Sequence, residues 1–397
     1  MSRFWKSITA FLLVIAVIHV YEKIFGPTLT RKPEGSPRQP SVPCSSNESN
    51  RNELRATSRV LVTGGAGFIG MSLMARLARA SHSTIRPEVL LGLDNFNNYY
   101  SPAYKRARAD HLKEEHNLQV LEGDVCNASL LEDVFSKFKF THVVHLAAQA
   151  GVRYSLDHPL SYVRNNLECF VTLVEQIRKI DEKNRPSFVY ASSSSVYGLN
   201  RKTPFSEAHP VTKPANLYGA TKFMNEQIAS AFHHIYNLNS VGLRFFTVYG
   251  PWGRPDMAAF LFTRAIEKGE PVVLYNKGEM QRDFTYIDDI VAGIIASMQF
   301  CTHSSTVFNL GNEHPVELMK FIAIIEKEMG YNAKFKFKES PGEIKTTFAD
   351  IAKAKDLLGY SPRTSIETGL KNFIDWYKNE PRRHVFALGD FNPKLKR

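Results

Sequence analysis

Short apolar runs alternate along the chain with stretches in which apolar residues recur at helical spacing. The runs cover residues 59–63, 89–93, 118–121, 142–146, 186–191 and 240–245. Runs of this length predict strands, and the alternation of strand with helix predicts parallel strands joined by helical crossovers. The pattern therefore predicts an α/β fold, a doubly wound parallel sheet that helices cover on both faces.

A glycine turn follows the first predicted strand. Gly64, Gly67 and Gly70 come directly after residues 59–63, and residues 68–80 continue with helical spacing. Between a strand and a helix, glycines allow the chain to turn tightly, to approach a pyrophosphate closely and to pack the helix against the strand. The helix amino terminus then faces the anion, so the segment predicts a Rossmann-type dinucleotide site.

The ends of the following strands supply further candidate cofactor contacts. Asp94 ends the second predicted strand, 24 residues beyond Gly70. An acidic side chain there accepts hydrogen bonds from the ribose 2′-hydroxyl and repels a 2′-phosphate, which predicts NAD rather than NADP as the cofactor. Asp124 is expected near the adenine, and Ala147 and Ala148 beside the cofactor at the end of the fourth strand. Their neighbours in the predicted cofactor site are Phe68, Ile69, Asn95 and Val125.

Tyr218 and Lys222 form the candidate catalytic pair. They follow a serine run, residues 192–195, at the end of the fifth strand. Their spacing places both side chains on one face of a helix. An unperturbed tyrosine, with a pKa of about 10, is a poor base at neutral pH, but a neighbouring ammonium group and bound NAD⁺ would lower that pKa. The pattern predicts that Tyr218 acts as a general base.

Residues 63–70 and the Tyr218/Lys222 pair resemble the extended short-chain dehydrogenase/reductase family of NAD-dependent epimerases and dehydratases. The resemblance covers residues 59 to about 378. It implies that Lys222 also holds the nicotinamide ribose, and that Ser193 binds the reacting oxygen of the substrate.

The resemblance also implies how the chain is divided. The epimerase domain would cover residues 59–380, with an NAD lobe mainly at 59–246. A smaller carboxy-terminal lobe, mainly residues 247–285 and 306–350, would bind a nucleotide sugar. Residues 381–397 are predicted to form a basic tail.

Two further segments, residues 149–155 and 244–257, resemble the UDP-glucuronate 4-epimerases of this family. The resemblance implies that Arg254 and Thr247 recognise the sugar carboxylate, and a guanidinium can pair with a carboxylate through two hydrogen bonds. It assigns the diphosphate to Arg282. The remaining implied substrate contacts are Gln149, Ser194 and Ser195.

The implied activity is that of an isomerase, which epimerises UDP-glucuronate at its fourth carbon to UDP-galacturonate through a transient 4-keto sugar, using tightly bound NAD. Three alternatives are open. A UDP-glucuronate decarboxylase, which makes UDP-xylose, would carry a carboxylate where this chain has Ser195. An epimerase of neutral UDP-sugars would have little use for Arg254. A non-enzymatic NAD-binding scaffold would have no reason to keep Ser193, Tyr218 and Lys222 together.

Helices expected near residues 158–180 and 215–236 resemble the pair through which this family dimerises. The resemblance therefore implies a homodimer. The apolar faces of these helices would equally serve as ordinary core.

The amino terminus predicts a membrane anchor. Residues 8–20 are almost wholly apolar, and Arg3 and Lys6 precede them. The run is short for a membrane span and would equally suit a cleaved signal peptide, but no small-x-small cleavage pattern follows it. The positive-inside rule then predicts a single-pass type II protein of the Golgi membrane, with a signal anchor in residues 1–26, a flexible luminal stem in residues 27–58 and a luminal catalytic domain.

Charge and cysteine content argue against several other functions. The net charge is +11, but the terminal segments 1–57 and 381–397 supply 8 of these charges, so a nucleic-acid-binding groove is not indicated. The cysteines lie far apart and form no CxxC motif: Cys44, Cys126, Cys169 and Cys301. This spacing argues against a thiolate zinc site, and no other metal site is predicted. The cysteines are expected to be packing residues or free thiols.

Overall fold

Strands and helices alternate along most of the structure, a computed structural model that describes residues 57–79, 87–339 and 345–382. The strands are β1 (Arg59–Thr63), β2 (Val89–Asp94), β3 (Gln119–Glu122), β4 (His142–His145), β5 (Ser187–Ser193), β6 (Ser240–Phe245), β7 (Thr247–Tyr249), β8 (Pro271–Tyr275), β9 (Gln281–Arg282), β10 (Phe284–Tyr286), β11 (Ser305–Leu310), β12 (Val316–Glu317), β13 (Lys334–Lys338) and β14 (Thr346–Thr347). The α-helices are α1 (Phe68–Ala78), α2 (Pro102–His116), α3 (Ala128–Phe138), α4 (Tyr154–Asp157), α5 (Pro159–Tyr162), α6 (Cys169–Arg178), α7 (Leu217–Tyr236), α8 (Ala258–Glu267), α9 (Ile287–Gln299), α10 (Leu318–Met329), α11 (Ala352–Leu358) and α12 (Ile366–Asn379). A π-helical segment, Val163–Glu168, joins α5 to α6.

Seven of the described strands form one parallel sheet, in the order β3-β2-β1-β4-β5-β6-β11. The strands predicted from the apolar runs are β1 to β6, so the predicted Rossmann-type α/β class is confirmed. Thr63 lies opposite Leu93 on one side and His145 on the other. Because the strands are parallel and share this register, their carboxyl ends meet along one edge of the sheet.

Both faces of the main sheet are buried. Along β1, Val60 and Val62 join one apolar cluster, whereas Leu61 joins a second cluster on the opposite face. Helices α1 and α9 contribute to the first cluster, and α3 and α6 to the second. Side chains alternate between the faces of a strand, so burial on both faces requires the continuous apolar runs seen in the sequence. Burying one aliphatic side chain of this size stabilises the fold by about 1.5–3 kcal/mol.

The described residues after β6 form three smaller sheets. β7 pairs with β10, β8 with β13, and β9 with both β12 and β14. The buried carboxylate of Asp283, between β9 and β10, accepts hydrogen bonds from the backbone N–H groups of Asn312, Glu313 and Ala349. These bonds hold the later segments against the smaller sheets. β11 is the edge strand of the main sheet, so the lobe boundary predicted at residue 306 falls inside a main-sheet strand.

Cys126 and Cys169 form a disulfide bond, and the prediction of free thiols is wrong for this pair. The two residues are 43 positions apart in the sequence, and their Cα atoms lie 4.2 Å apart. Cys126 lies in the loop after β3, and Cys169 begins α6. The bond therefore ties this loop to the helix. Sequence spacing could not reveal it, because the contact depends on how α6 packs against α3, the helix that follows this loop.

The structure offers no support for a membrane location. Among the residues that it describes, no helix is both long enough and apolar enough to cross a bilayer. The predicted anchor, residues 1–26, lies outside the described residues, as do most of the predicted stem and residues 383–397 of the basic tail. The prediction of a luminal enzyme in the Golgi membrane is corrected accordingly.

Candidate active site

A cavity of about 1360 Å³ opens at the carboxyl edge of the main sheet. This volume exceeds the roughly 300–1,000 Å³ that is usual for one small ligand, so the cavity can accept two ligands together. Every residue that the sequence predicts to bind cofactor or substrate lines it: Gly64, Gly67, Phe68, Ile69, Gly70, Asp94, Asn95, Asp124, Val125, Ala147, Ala148, Gln149, Ser193, Ser194, Ser195, Tyr218, Lys222, Thr247, Arg254 and Arg282.

The glycine turn after β1 leaves no room for side chains. A Cβ atom on Gly70 would lie 2.1 Å from the carbonyl oxygen of Gly64. Gly64 itself has a φ of +73°, and a Cβ atom there would lie 2.8 Å from the backbone nitrogen of Ala147. Helix α1 begins at Phe68, and its first turn lines the cavity with N–H groups that have no partner within the helix. These features fit the pyrophosphate of a dinucleotide, which needs both close backbone approach and N–H donors.

Asp94 and Asp124 are held by neighbouring N–H donors at the ends of β2 and β3. Asp94 accepts hydrogen bonds from the backbone N–H groups of Ala66, at 3.1 Å, and Phe96, at 2.9 Å. The side-chain amide of Asn95 donates to Asp124 Oδ2 at 3.4 Å and links the two loops. Because these donors fix each carboxylate, its remaining lone pairs are presented to the cavity in a defined direction.

Tyr218 and Lys222 lie one turn apart on α7. The side chain of Asn216 caps this helix by accepting a hydrogen bond from the N–H of Gly219 at 2.8 Å. The buried Nζ atom of Lys222 donates to the carbonyl oxygen of Ala191, on β5, at 2.9 Å. Burial lowers the pKa of Lys222 to about 8. The helix thus holds a desolvated ammonium group at the cavity that Tyr218 also lines.

Tyr218 lies close to both Arg254 and Ser193. Burial raises the pKa of Tyr218, while the charge of Arg254 and a hydrogen bond with Ser193 lower it. A Cβ atom on Gly219 would lie 2.4 Å from the carbonyl oxygen of Ser195, so glycine is what lets α7 approach the serine run. Because burial opposes the phenolate, its formation needs further positive charge at the site.

Arg254 forms an ion pair with Asp256 in the loop after β7. Its Nε atom lies 3.0 Å from Oδ1, and its Nη2 atom lies 2.5 Å from Oδ2. The hydroxyl of Tyr99 donates to the same carboxylate at 2.8 Å. The Nη1 atom of Arg254 makes no hydrogen bond within the described part of the chain. Arg254 therefore lies beside Tyr218 with one nitrogen available to a ligand.

Three other predicted substrate residues are hydrogen-bonded to neighbouring segments of the chain. The N–H of Thr247, which begins β7, donates to the carbonyl oxygen of Asp283 at 3.0 Å. The Nη1 atom of Arg282, on β9, donates to a backbone carbonyl oxygen at 2.9 Å. The N–H of buried Gln149 donates to the side chain of Asn166 at 2.8 Å. Each is therefore held in place before a ligand binds.

Sequence reasoning missed several residues at this site. Tyr99, Lys105 and His145 also line the cavity. Asp256 forms an ion pair with Arg254. Lys105 donates to the carbonyl oxygen of Asn97 at 2.8 Å, and burial lowers its pKa to about 8. His145 ends β4, and Tyr99 and Lys105 come soon after β2. The rule that ligands bind beyond the carboxyl ends of parallel strands could have found these three.

A glycine turn at β1 that shares one cavity with a helical tyrosine–lysine pair defines a short-chain dehydrogenase/reductase. The family model described as GDP-mannose 4,6 dehydratase matches residues 61–373. UDP-glucuronate 4-epimerase 3 of Arabidopsis thaliana is 47% identical over 346 residues, which cover 83% of this chain and 78% of the plant protein. The chain therefore belongs to the UDP-glucuronate 4-epimerase family, within the extended branch of that class.

Two solved epimerase structures are similar to this chain. UDP-glucuronic acid 4-epimerase from Bacillus cereus, in complex with UDP-glucuronic acid and NAD, is 34% identical with a TM-score of 0.73, covering 81% of this chain and 99% of that one. UDP-glucose 4-epimerase from Thermotoga maritima, with UDP-glucose, is 28% identical with a TM-score of 0.70, covering 81% and 98%. The shared fold thus serves both acidic and neutral sugars in relatives, so residues at the sugar end of the cavity must distinguish them.

Replacing Gly70 with alanine is expected to abolish NAD binding. The added methyl group would collide with the backbone of Gly64, so the turn must open where the pyrophosphate approaches. NAD released from the purified protein by acid and quantified should fall to background.

The matched control for this variant is Gly92→Ala on β2. The nearest atoms to its new methyl group belong to the side chains of Met74 and Val120, both at 3.0 Å, rather than to the backbone, and Gly92 does not line the cavity. This control should keep its NAD. A full NAD content in the Gly70→Ala protein would contradict the assigned role of the turn.

Proposed function

We propose that this chain is a UDP-glucuronate 4-epimerase, which converts UDP-glucuronate to UDP-galacturonate with tightly bound NAD. The observation that carries the proposal is the position of Arg254, which lies close enough to Tyr218 for its charge to lower the pKa of the phenol. In a hexuronate, the carboxylate is attached to carbon 5, next to carbon 4. A base for the 4-hydroxyl and a cation for the carboxylate must therefore lie side by side.

NAD would bind along the carboxyl edge of the main sheet. The turn at Gly64–Gly70 would hold the pyrophosphate, Asp94 the adenosine ribose, Asp124 the adenine and Lys222 the nicotinamide ribose. When bound, NAD supplies a reversible hydride acceptor for carbon 4. The Bacillus cereus epimerase, whose structure contains both UDP-glucuronic acid and NAD, supports this arrangement.

Tyr218 would exchange the proton of the 4-hydroxyl. As a phenolate it takes this proton while the hydrogen on carbon 4 leaves, and it returns the proton when the alcohol forms again. The ammonium group of Lys222, with a pKa of about 8, stays largely protonated at neutral pH. Its charge would favour the phenolate once substrate and cofactor are bound. Ser193 would hydrogen-bond to the 4-oxygen. The product of the first half-reaction is a 4-keto sugar, which stays in the cavity.

The 4-keto sugar must be protected from losing carbon dioxide. Its carboxylate is β to the ketone, and loss requires the bond from carbon 5 to the carboxylate to align with the π system of the ketone. Arg254, Thr247, Ser194 and Ser195 would hold the carboxylate out of that alignment. Arg282, on β9 in the smaller nucleotide-sugar lobe, would hold the diphosphate while the sugar turns and presents its other face.

Two other activities fit the cavity less well. A decarboxylase of UDP-glucuronate would use a carboxylate as an extra acid at the position of Ser195. An epimerase of neutral sugars would place an uncharged hydroxymethyl group beside Arg254, whose hydrogen bond to a hydroxyl oxygen is weaker than its charge-assisted bond to a carboxylate.

The expected reaction can be followed directly by proton NMR of UDP-glucuronate incubated with the purified protein. UDP-galacturonate should accumulate until the two sugars reach equilibrium. Tyr218→Phe removes the proton acceptor, so kcat should fall by about 10²–10⁴-fold while the NAD content is unchanged. UDP-xylose as the main product would contradict the epimerase proposal, and full activity of Tyr218→Phe would contradict the role of that residue.

Ser193→Ala should shift the pH dependence of the reaction. The rate rises with pH as Tyr218 loses its proton, and the hydrogen bond from Ser193 lowers the pKa of that phenol. Without this bond the pKa is higher, so the rising limb of log kcat against pH should move to higher pH. Ser194→Ala, at the neighbouring position, should leave the limb in place. If the rising limb of Ser193→Ala stays in place, the result would contradict the proposed hydrogen bond between Ser193 and Tyr218.

The proposal includes a homodimer formed through α7 and the segment 159–163. Apolar side chains are exposed on both: Leu160 (81%), Val163 (44%), Met224 (47%) and Ile235 (63%). Exposed apolar groups on neighbouring helices are typical of protein interfaces. Both lie within the segments, residues 158–180 and 215–236, that the family resemblance assigns to dimerisation.

Leu160→Asp should convert the dimer to a monomer, because it would bury a charge in the interface. Analytical ultracentrifugation measures this change. Leu357→Asp, at an exposed leucine on α11, is the control and should remain dimeric. A monomeric parent protein, or a dimeric Leu160→Asp variant, would contradict the proposed interface.

A further inference from the structure

Asp256 takes no part in the proposed reaction steps, but it forms an ion pair with Arg254, on which those steps depend. We propose that Asp256 is a positioning residue, which holds the guanidinium of Arg254 so that the substrate carboxylate cannot leave from the 4-keto sugar. The inference rests on the proposed function, and it assigns to Asp256 the balance between epimerisation and decarboxylation.

The ion pair fixes the plane of the guanidinium. Nε and Nη2 of Arg254 each face a different oxygen of Asp256, at 3.0 and 2.5 Å. Both side chains are largely buried, with 23% of Arg254 and 9% of Asp256 exposed. A planar group held at two nitrogens cannot turn about its own axis, so the direction of Nη1 is determined as well. The ion pair therefore sets the direction from which a ligand carboxylate can accept a hydrogen bond from Arg254.

Tyr99 holds Asp256 from the other side. Its hydroxyl donates to Oδ2 of Asp256 at 2.8 Å, and its ring packs edge-on against Tyr154 with centroids 4.9 Å apart. A Cβ atom on Gly151 would lie 2.0 Å from this hydroxyl, so glycine at that position makes room for it. The carboxylate of Asp256 is thus fixed by a side chain from the loop after β2, in the cofactor half of the protein.

The backbone before Arg254 is fixed independently. Trp252 has a left-handed φ of +61°, a conformation that persists only where surrounding contacts impose it. The buried side chain of Arg108 donates to the carbonyl oxygen of Trp252 at 2.6 Å, and the hydroxyl of Tyr104 donates to that of Gly253 at 2.8 Å. Both the main chain and the side chain of Arg254 are therefore placed before substrate enters.

The negative charge of Asp256 argues against a role of the ion pair in tightening the binding of substrate. A carboxylate beside Arg254 offsets the positive charge that a substrate carboxylate would meet, so it weakens attraction while it adds direction. Direction is what the 4-keto sugar requires. When the carboxylate can move so that its bond to carbon 5 aligns with the π system of the ketone, that bond breaks, carbon dioxide leaves, and the electron pair forms the enolate of the ketone. Water then protonates carbon 5, which yields a 4-ketopentose.

Asp256→Asn tests the inference, because it keeps the shape and loses one charge-assisted hydrogen bond. The ratio of decarboxylated products to UDP-galacturonate, measured by proton NMR on UDP-glucuronate, should rise by roughly tenfold, the effect of one such bond. Tyr99→Phe keeps the ring and loses only its bond to Asp256, so the ratio should rise in the same direction by less. Asp375→Asn, an exposed acidic residue on α12, should leave the ratio unchanged.

The outcomes separate the inference from the proposed function. A parent protein that forms no UDP-galacturonate would overturn the epimerase proposal itself. An active parent whose two variants keep its product ratio would overturn only the role of Asp256. Tighter binding of UDP-glucuronate by Asp256→Asn with an unchanged ratio would also overturn it, because Asp256 would then only neutralise Arg254. Should Asp256→Asn fail a thermal unfolding check, the product ratio of Tyr99→Phe decides.

Discussion

The parallel register of the main sheet is the constraint on which the rest of the structure depends. With Thr63 opposite Leu93 and His145, the strands on either side of β1 end together, and each following loop opens toward the same cavity. Residues that lie far apart in the sequence, such as Asp94 and Ser193, therefore line one cavity. The glycine turn works only because this register brings Ala147 against Gly64, where no side chain fits.

Burial destabilises the charged forms of the side chains that line the cavity. It lowers the pKa of Lys222 to about 8 and raises that of Tyr218, so the protein alone opposes the charged forms that catalysis uses. A bound cofactor with a positive nicotinamide ring would restore the balance. Arg254 meets the same difficulty by pairing with Asp256, which keeps it charged and oriented but leaves a single nitrogen for substrate. The site thus gains orientation at the expense of attraction.

Local features of this site could be predicted from the sequence, and contacts between distant segments could not. The glycine turn and the Tyr218/Lys222 pair each depend on one element and its neighbour, so spacing was enough to find them. The bond between Cys126 and Cys169 depends on the packing of α6 against α3. Asp256 illustrates the same limit: it lies two positions after Arg254 in the sequence, but only the structure shows that it pairs with Arg254 and accepts a hydrogen bond from Tyr99, in the loop after β2.

The most direct test of the account is the fate of the hydrogen on carbon 4. UDP-glucuronate that carries deuterium at this carbon would be converted by the purified protein in ordinary water, and the product examined by mass spectrometry and proton NMR. The proposed mechanism predicts UDP-galacturonate that retains the deuterium at carbon 4, because the hydrogen leaves and returns within one cavity. Loss of the deuterium to water, or its retention in a product other than UDP-galacturonate, would contradict it.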